Sequence, residues 1–402
     1  MRILFLDDDQ ALLRGMERML FNKKDWRMSF ADSGAKALEA MGREAFDVIV
    51  ADLRMPGMDG AQVLQEVQKR HPGVVRIVLS GHSDSELVTR AVQPAHQFLS
   101  KPCGSDELIR IIQRAFDLRT TFTDPKIRET ITRIGTLPVM PTVYAQLMAA
   151  LKDDSQSIGD IGEIVSRDVG LSSNLLKVVN SSFFGMRQPI ATPAQAVTYL
   201  GLNILKSLIL YNSVFCTLDS AKRKLFSMET LWEHSLLAAQ FAGAIAKSQG
   251  ASKAHAEECF VAGLLHDVGK LVLADGAETD YKAVVALSRE GNMPLAMAEK
   301  ELLGVTHAEV GGYLLGLWGL EPRMVRMVAS HHGLRREEDT HPELFAYVHA
   351  ANVLEHQLVV IHPEYAVHDV DPGVLERGGA ADCFDGWREL CAGILQKATG
   401  KA

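Results

Sequence analysis

Two groups of residues have types and spacings that could do chemistry. The first is Gly263-Leu264-Leu265-His266-Asp267-Val268-Gly269-Lys270, an apolar helical run that ends by placing an imidazole, a carboxylate and an ammonium within five residues. Other histidines flank it along the chain: His234, His307 and the pair His331-His332. Several imidazoles and one carboxylate converging from facing helices suit a transition ion such as Fe, Mn or Zn. Water activated there could attack phosphorus, with Lys270 steadying the phosphate charge. Equally, His234, His266 and His307 could form a buried hydrogen-bonded cluster around Asp267 that serves only packing.

The second group is acidic. Asp7, Asp8 and Asp52 each follow or end a short apolar run, and would crowd three carboxylates into one cleft. That repulsion is tolerable if Mg2+ sits among their oxygens. An aspartate beside Mg2+ can accept a phosphoryl group, because the ion neutralises the oxygens during transfer. Ser80 and Lys101, also at run ends, could then contact the transferred group by hydroxyl and ammonium.

The elements that must position the two groups differ. Over residues 1–120, apolar runs at Ile3–Leu6, Phe46–Ala51, Val74–Leu79 and Gln97–Leu99 alternate with helical patterns, the first carrying Leu12, Leu13, Met16 and Leu20 on one side. Such βαβα alternation predicts an α/β doubly wound, flavodoxin-like parallel sheet, with ligands at the carboxyl ends of the strands. Leu108, Ile111, Ile112, Ala115, Phe116 and Leu118 then repeat at helical spacing up to a break at Asp124-Pro125. A linker helix over 121–133 would follow, either passing a change onward or serving as a passive connector.

From Ile127 onward strand-like runs vanish. Ser157 and Asp160 form a capping-box pattern ahead of the stripe Ile158, Ile161, Ile164 and Val165. A helix over Leu231–Lys247 presents His234, Leu237, Phe241 and Ile245 on its inner face. Thr306 and Glu309 bracket a helix start at His307, and a helix from Pro322 runs to His331-His332 and stops at Gly333. An all-α domain over 134–335 is expected, with a helical extension over 336–402. There Glu343–Leu358 forms one helix, 362–379 is polar and turn-rich, and Asp385–Thr399 is amphipathic with Trp387, Cys391, Ile394 and Leu395 on one side. That last helix either packs back or forms a dimer contact.

The motifs LFLDDD, VIVADLRMPGMDG, IVLSGH and FLSKPC resemble those of two-component receiver domains. The resemblance implies Asp52 as phosphoacceptor, with Asp7, Asp8, Asp52 and the Arg54 carbonyl around Mg2+. It further implies Ser80 and Phe98 as switch residues and Lys101 as the phosphate-sensing lysine. The phosphodonor would be a histidine kinase or phosphorelay donor. LPVMP at 137–141, SRDVGLSSNLLKVVNSSFFG, AVTYLGLNILKSLIL and AGLLHDVGK resemble the HDOD family, an all-helical relative of the HD phosphohydrolases. Membership implies a module acting through a downstream signalling protein or a second copy of itself.

The order His234, His266-Asp267, Lys270, His307, His331-His332 also resembles the ligand order of HD-GYP phosphodiesterases. Two departures stand out. Asn352 falls where that order ends in a carboxylate, and Gly333–Glu338 lacks a Gly-Tyr-Pro loop. Both favour a response regulator acting by protein–protein contact over the alternative, a phosphorylation-gated metal phosphohydrolase acting on a nucleotide or cyclic dinucleotide.

Bulk properties narrow the field. The 402 residues are 47% hydrophobic and 23% charged, with a net charge of −8, which disfavours a general nucleic-acid or anionic-membrane binder. The helix–turn–helix pattern over 157–180 offers Lys177 as the cation of its second helix, too little for a DNA reader. No run reaches membrane-span length. The five cysteines at 103, 216, 259, 383 and 391 are scattered without zinc-site spacing, consistent with reduced thiols in a cytoplasmic protein.

Overall fold

The alternation of apolar runs and helices over residues 1–121 resolves into a parallel sheet in the computed structural model. The structure describes residues 1–80, 94–101, 103–122, 126–127, 130, 142–151, 157–180, 190–217, 228–276, 278–333, 340–359 and 369–399. Strands β1 (Arg2–Leu6), β2 (Arg27–Ala31), β3 (Val48–Asp52), β4 (Val75–Ser80) and β5 (Gln97–Ser100) pair in parallel in the order β2-β1-β3-β4-β5. This is the doubly wound order of flavodoxin-like folds, whose switch point lies between β1 and β3. Four strands were legible as apolar runs. The fifth, Arg27-Met28-Ser29-Phe30-Ala31, is an edge strand with only Ala31 fully buried, so no continuous apolar run marks it.

Helices α1 (Gln10–Leu20), α2 (Gly34–Arg43), α3 (Gly60–Arg70) and α4 (Ser105–Thr121) complete this unit. Leu4, Leu6, Ile49 and Ala51 pack with Ala37, Met41, Leu64 and Val67 from α2 and α3. The opposite set, Ile3, Phe5, Val48 and Val50, is equally buried. Alternate residues of both central strands are therefore inside, as a parallel sheet with two covered faces requires. Each fully buried Leu or Ile contributes about 1.5–3 kcal/mol. Local signals fix the helix starts: the Asp9 carboxylate accepts from the backbone N–H groups of Ala11 and Leu12, and Asp59 with Gln62 forms a reciprocal capping box.

The remaining elements are helical: α5 (Thr142–Ala150), α6 (Ile158–Ser166), α7 (Val169–Val179), α8 (Pro193–Leu200), α9 (Leu202–Thr217), α10 (Met228–Ser248), α11 (Lys253–Leu265), α12 (Val268–Gly276), α13 (Glu278–Glu290), α14 (Leu295–Leu303), α15 (His307–Leu317), α16 (Pro322–Ala329), α17 (Pro342–Leu358), α18 (Pro372–Arg377) and α19 (Phe384–Thr399). The chain divides into two compact units, Met1–Ala149 with Leu315–Leu320, and Ala150–Leu314 with Glu321–Ala402. The expected capping box at Ser157 forms: its hydroxyl accepts from Asp160 N at 3.3 Å, and the Asp160 carboxylate accepts from Ser157 N at 2.7 Å. Helix α16 is shorter than its pattern indicated. It ends at Ala329, and a turn closed by Gly333 N donating to Ser330 O at 2.9 Å carries His331 and His332.

The C-terminal helix packs back on its own unit. Trp387 is buried, with its ring 5.5 Å from that of Tyr347 in α17. Much of the linker expected over 121–133, all of 137–141, the loop after Gly333 at 334–338, and part of the turn-rich 362–379 stretch lie outside the described residues.

Candidate functional site

In the α/β unit the chain leaves β1 at Asp7 and β3 at Asp52, so adjacent parallel strands deliver two carboxylates to one edge. Asp7 and Asp52 are buried and Asp8 is exposed, and one carboxylate oxygen from each of the three lies within 4.8 Å of the others. Lys101, just past β5, bridges the pair: its ammonium is 2.7 Å from Asp7 Oδ2 and 2.5 Å from Asp52 Oδ1. Burial works against the Lys101 charge, but the bonds to Asp52 and Asp7 prevail and raise its pKa. Burial also raises the Asp52 pKa, with Asp7 adding to the rise and Lys101 opposing it. Arg54 N donates to Asp52 Oδ2 at 3.1 Å, which fixes the turn after β3. A Cβ on Gly60 would sit 1.9 Å from the Asp52 carbonyl oxygen, so that turn can close against the strand end only over a glycine. The side chains of Ser80 and Phe98 lie outside the described residues.

In the helical unit, His234 comes from α10, His266 and Asp267 from the junction of α11 and α12, His307 from the first position of α15, and His331-His332 from the turn after α16. These six converge. Asp267 Oδ2 lies 3.3 Å from His234 Nε2 and 2.6 Å from the Lys270 ammonium. Asp267 Oδ1 lies 3.2 Å from His307 Nε2, 3.4 Å from His266 Nε2 and 4.0 Å from His331 Nε2. His332 Nε2 is 2.9 Å from His307 Nε2. Two local devices permit this. Thr306 and Glu309 form the expected cap, with Glu309 N donating to Thr306 Oγ1 at 3.2 Å and Thr306 N to Glu309 Oε2 at 2.8 Å. A Cβ on Gly269 would lie 1.9 Å from the His307 carbonyl oxygen, so the start of α12 reaches the start of α15 only because residue 269 has no side chain.

The ring orientations follow from what each Nδ1 meets. His266 Nδ1 donates to Gly263 O at 2.6 Å, His331 Nδ1 to Val328 O at 2.7 Å and His356 Nδ1 to Asn352 O at 2.9 Å. His234 Nδ1 meets Glu355 Oε2 at 2.5 Å and His307 Nδ1 meets Glu299 Oε2 at 2.7 Å. Every Nδ1 of this set has an oxygen acceptor, which leaves Nε2 as the inward atom, the arrangement in which an imidazole serves as a ligand.

Charges diverge sharply within the cluster. Burial would raise the Asp267 pKa, yet its neighbours His266, Lys270, His234 and His307 hold it well below the carboxylate range. Burial opposes protonation of His234, but Glu355 and Asp267 raise its pKa to about 9. His307 is likewise raised against burial by Glu299 and Asp267. Burial pushes His266 down to about 3, and His331 and His356 well below the usual imidazole value.

The donor set fits a divalent transition ion. Among the described residues, six buried side-chain polar atoms lack a hydrogen-bond partner. Three of these, Asp267 Oδ1, His331 Nε2 and Glu355 Oε1, belong to this cluster, and Asn352 Oδ1 lies one turn before Glu355 on α17. Such atoms each cost about 1–3 kcal/mol unless something binds them. Three groups of candidate donors recur: His234, His266 and Asp267; His234, Glu355 and His356; and His307, His331 and His332.

Asn352 is buried, and one turn after it stands a carboxylate, Glu355, almost fully buried against Nδ1 of His234. Glu355, Glu299 and His356 went unrecognised. The available signal was ionisable residues inside apolar helices: Glu355-His356 follows Asn352 by three and four positions on α17, which keeps all three on one face.

An α/β receiver fold followed by an HD-like all-helical fold defines the class. Residues 3–113 match the response regulator receiver domain and residues 137–334 match the HDOD domain. The chain belongs to the response regulators that carry an HD-like HDOD output domain. It is 27% identical over 244 residues to an uncharacterized protein of Treponema pallidum (strain Nichols), covering 60% of this chain and 46% of that protein. It is 34% identical over 148 residues to the transcriptional regulatory protein GlrR of Escherichia coli (strain K12), covering 37% of this chain and 33% of that one. The chain thus spans less than half the length of these curated relatives. An HDOD domain protein from Geobacter sulfurreducens shares the fold with a TM-score of 0.54 at 24% identity, covering 70% of this chain and 97% of that one. No described helix is long and apolar enough to cross a membrane.

Proposed function

We propose that this response regulator takes a phosphoryl group on Asp52 from a histidine kinase or phosphorelay donor, and that the resulting change in the receiver controls its HDOD output. The observation that carries the reading is the Lys101 bridge to Asp7 and Asp52 at 2.7 and 2.5 Å. An ammonium already seated on the acceptor carboxylate is placed to hold a phosphoryl oxygen once the Asp52 negative charge has moved outward onto phosphate. Asp7, Asp8, Asp52 and the Arg54 carbonyl would hold Mg2+, which supplies charge neutralisation at the transferring oxygens. Ser80 and Phe98 complete the proposed switch. Output runs through contact with a downstream signalling protein or a second copy of the chain, with no nucleic acid or membrane involved. Incubation with acetyl phosphate and Mg2+ tests the acceptor: wild type gains one phosphoryl group by mass, and an Asp52→Asn protein that still gains it refutes the assignment.

A second reading is favoured by Glu355, a second buried carboxylate that holds His234 at Nδ1 and leaves its Nε2 inward. In it the helical unit binds an Fe, Mn or Zn ion and hydrolyses a phosphoester of a nucleotide or cyclic dinucleotide. A bound ion would supply Lewis acidity and an activated water. Asp267 and the inward Nε2 atoms of His234, His266, His307 and His331 would hold it, with His332, Asn352 and Glu355 at the margin. Lys270, paired to Asp267 at 2.6 Å, would then turn to the phosphate. Metal analysis of protein purified without chelator tests the binding. Turnover lost in Asp267→Ala would establish the chemistry, and its absence in fully loaded wild type would leave the site structural.

A further inference from the structure

Behind His307 stands a pair of buried side chains that neither reading has used. Glu299 in α14 and Tyr281 in α13 are both fully excluded from solvent. Tyr281 Oη donates to Glu299 Oε1 at 2.5 Å. Glu299 Oε2 accepts twice from one residue, from the His307 backbone N–H and from its ring Nδ1, each at 2.7 Å. A carboxylate without solvent costs several kcal/mol unless its oxygens are satisfied, and here both are. The two-point grip on His307 fixes the first backbone amide of α15 and the plane of the imidazole together. Its consequence lies on the other side of the ring, where Nε2 is held 3.2 Å from Asp267 Oδ1.

The same device recurs across Asp267. His234, 3.3 Å from the other oxygen of Asp267, is held at Nδ1 by Glu355. Each oxygen of the central carboxylate therefore faces an imidazole that is backed by a buried carboxylate, while His266 and His331 are backed by neutral carbonyls. A carboxylate behind a ligating imidazole fixes its tautomer and raises its basicity.

We propose that Glu299, oriented by Tyr281, is a positioning residue that makes His307 an Nε2 donor to a divalent cation at Asp267. The inference rests on the metal-binding reading of the helical unit. It assigns the α13–α14 segment a role in that site although neither helix supplies a ligand.

Mn2+ affinity of the full-length chain, measured by equilibrium dialysis, tests it alongside the His307 ring 15N signals of metal-free protein. Glu299→Gln is expected to weaken Mn2+ binding about 10–100-fold and to shift the His307 ring 15N signals, because its Nδ1–H loses the carboxylate acceptor. Glu299→Asp should recover part of the affinity. Tyr281→Phe, which leaves the buried carboxylate in place and decides the matter should Glu299→Gln fail to fold, is expected to weaken binding about threefold to tenfold. Wild-type affinity in both Glu299→Gln and Tyr281→Phe, with Mn2+ bound normally by wild type, overturns this inference alone. A wild-type chain that takes up no Mn2+ overturns the metal reading and this inference with it.

Discussion

The Nε2 atoms of His234 and His266 face each other at 2.9 Å. Each ring has its Nδ1 on an oxygen acceptor, Glu355 for His234 and the Gly263 carbonyl for His266. Both Nδ1 atoms therefore carry hydrogen, and two lone pairs would meet head-on unless a cation lies between them. Glu355 and Asp267 raise the His234 pKa to about 9 while burial drops His266 to about 3, which favours His234 as the ring that carries a proton there. A metal ion held by these two nitrogens would displace that proton.

Metal uptake should therefore release protons. His234 is protonated at neutral pH and must lose its Nε2 proton to ligate. Apparent affinity is expected to rise with pH and level off near 9, with a slope of about tenfold per pH unit for each proton displaced. Calorimetric Mn2+ titrations in buffers of different ionisation enthalpy, run between pH 6 and 7.5, measure the released protons directly. A pH-independent affinity with no proton release would contradict this picture. Glu355→Gln removes one of the two carboxylates that raise His234 and should weaken the dependence.

Removing Lys101 should destabilise the α/β unit in a Mg2+-dependent way. Its ammonium is the cation between Asp7 and Asp52, and without it two buried carboxylates repel. Lys101→Ala is expected to cost about 1–3 kcal/mol in metal-free protein. Saturating Mg2+ should recover much of that, because the ion neutralises the same oxygens. Denaturant unfolding with and without Mg2+ gives both numbers, and an equal loss in the two conditions would argue against a shared site.

The fold was legible wherever burial was two-sided or a cap was local. Central strands β1, β3 and β4 announced themselves as apolar runs, and Ser157 with Asp160 and Thr306 with Glu309 marked helix starts over four residues. Strand β2 escaped because only Ala31 of its five residues is fully buried, so no apolar run marks it. The histidines of the helical cluster were legible because each stands inside or at the end of an apolar helical pattern, where an imidazole is out of place. Glu299 and Glu355 were not. A carboxylate inside a helix reads as a solvated face until tertiary packing brings it, over eight residues in one case and 121 in the other, to the back of an imidazole.

Gly269 offers a steric test of how the helical site is assembled. Any Cβ there meets the His307 carbonyl oxygen at 1.9 Å and the Gly311 amide nitrogen at 2.7 Å. Both are backbone atoms at the start of α15 and cannot rotate away. Gly269→Ala should cost about 3 kcal/mol or more, above the usual overpacking range, because α12 and α15 must part. Since Asp267 and His307 would separate with them, Mn2+ affinity should fall together with stability. A variant of wild-type stability and Mn2+ affinity would refute a backbone contact between α12 and α15 at residue 269.

His96 gives the α/β unit an acid-labile point away from its acidic edge. It is buried, its Nε2 is 2.8 Å from Arg76 Nη2 and its Nδ1 accepts from Arg76 N at 3.1 Å. Burial, then the Arg76 charge, holds its pKa well below 6.5. The folded unit thus keeps His96 neutral where the unfolded chain would protonate it. Its contribution is fully present above about pH 6.5, the unfolded value, and is lost as pH falls from there toward the depressed folded value. The loss approaches about 1.4 kcal/mol per pH unit. Urea unfolding of wild type and His96→Gln between pH 7.5 and 5 isolates the effect. The variant starts less stable, having lost the acceptor for Arg76 N, but its stability should decline less steeply with acid. Parallel pH profiles for the two proteins would show that His96 does not carry this dependence.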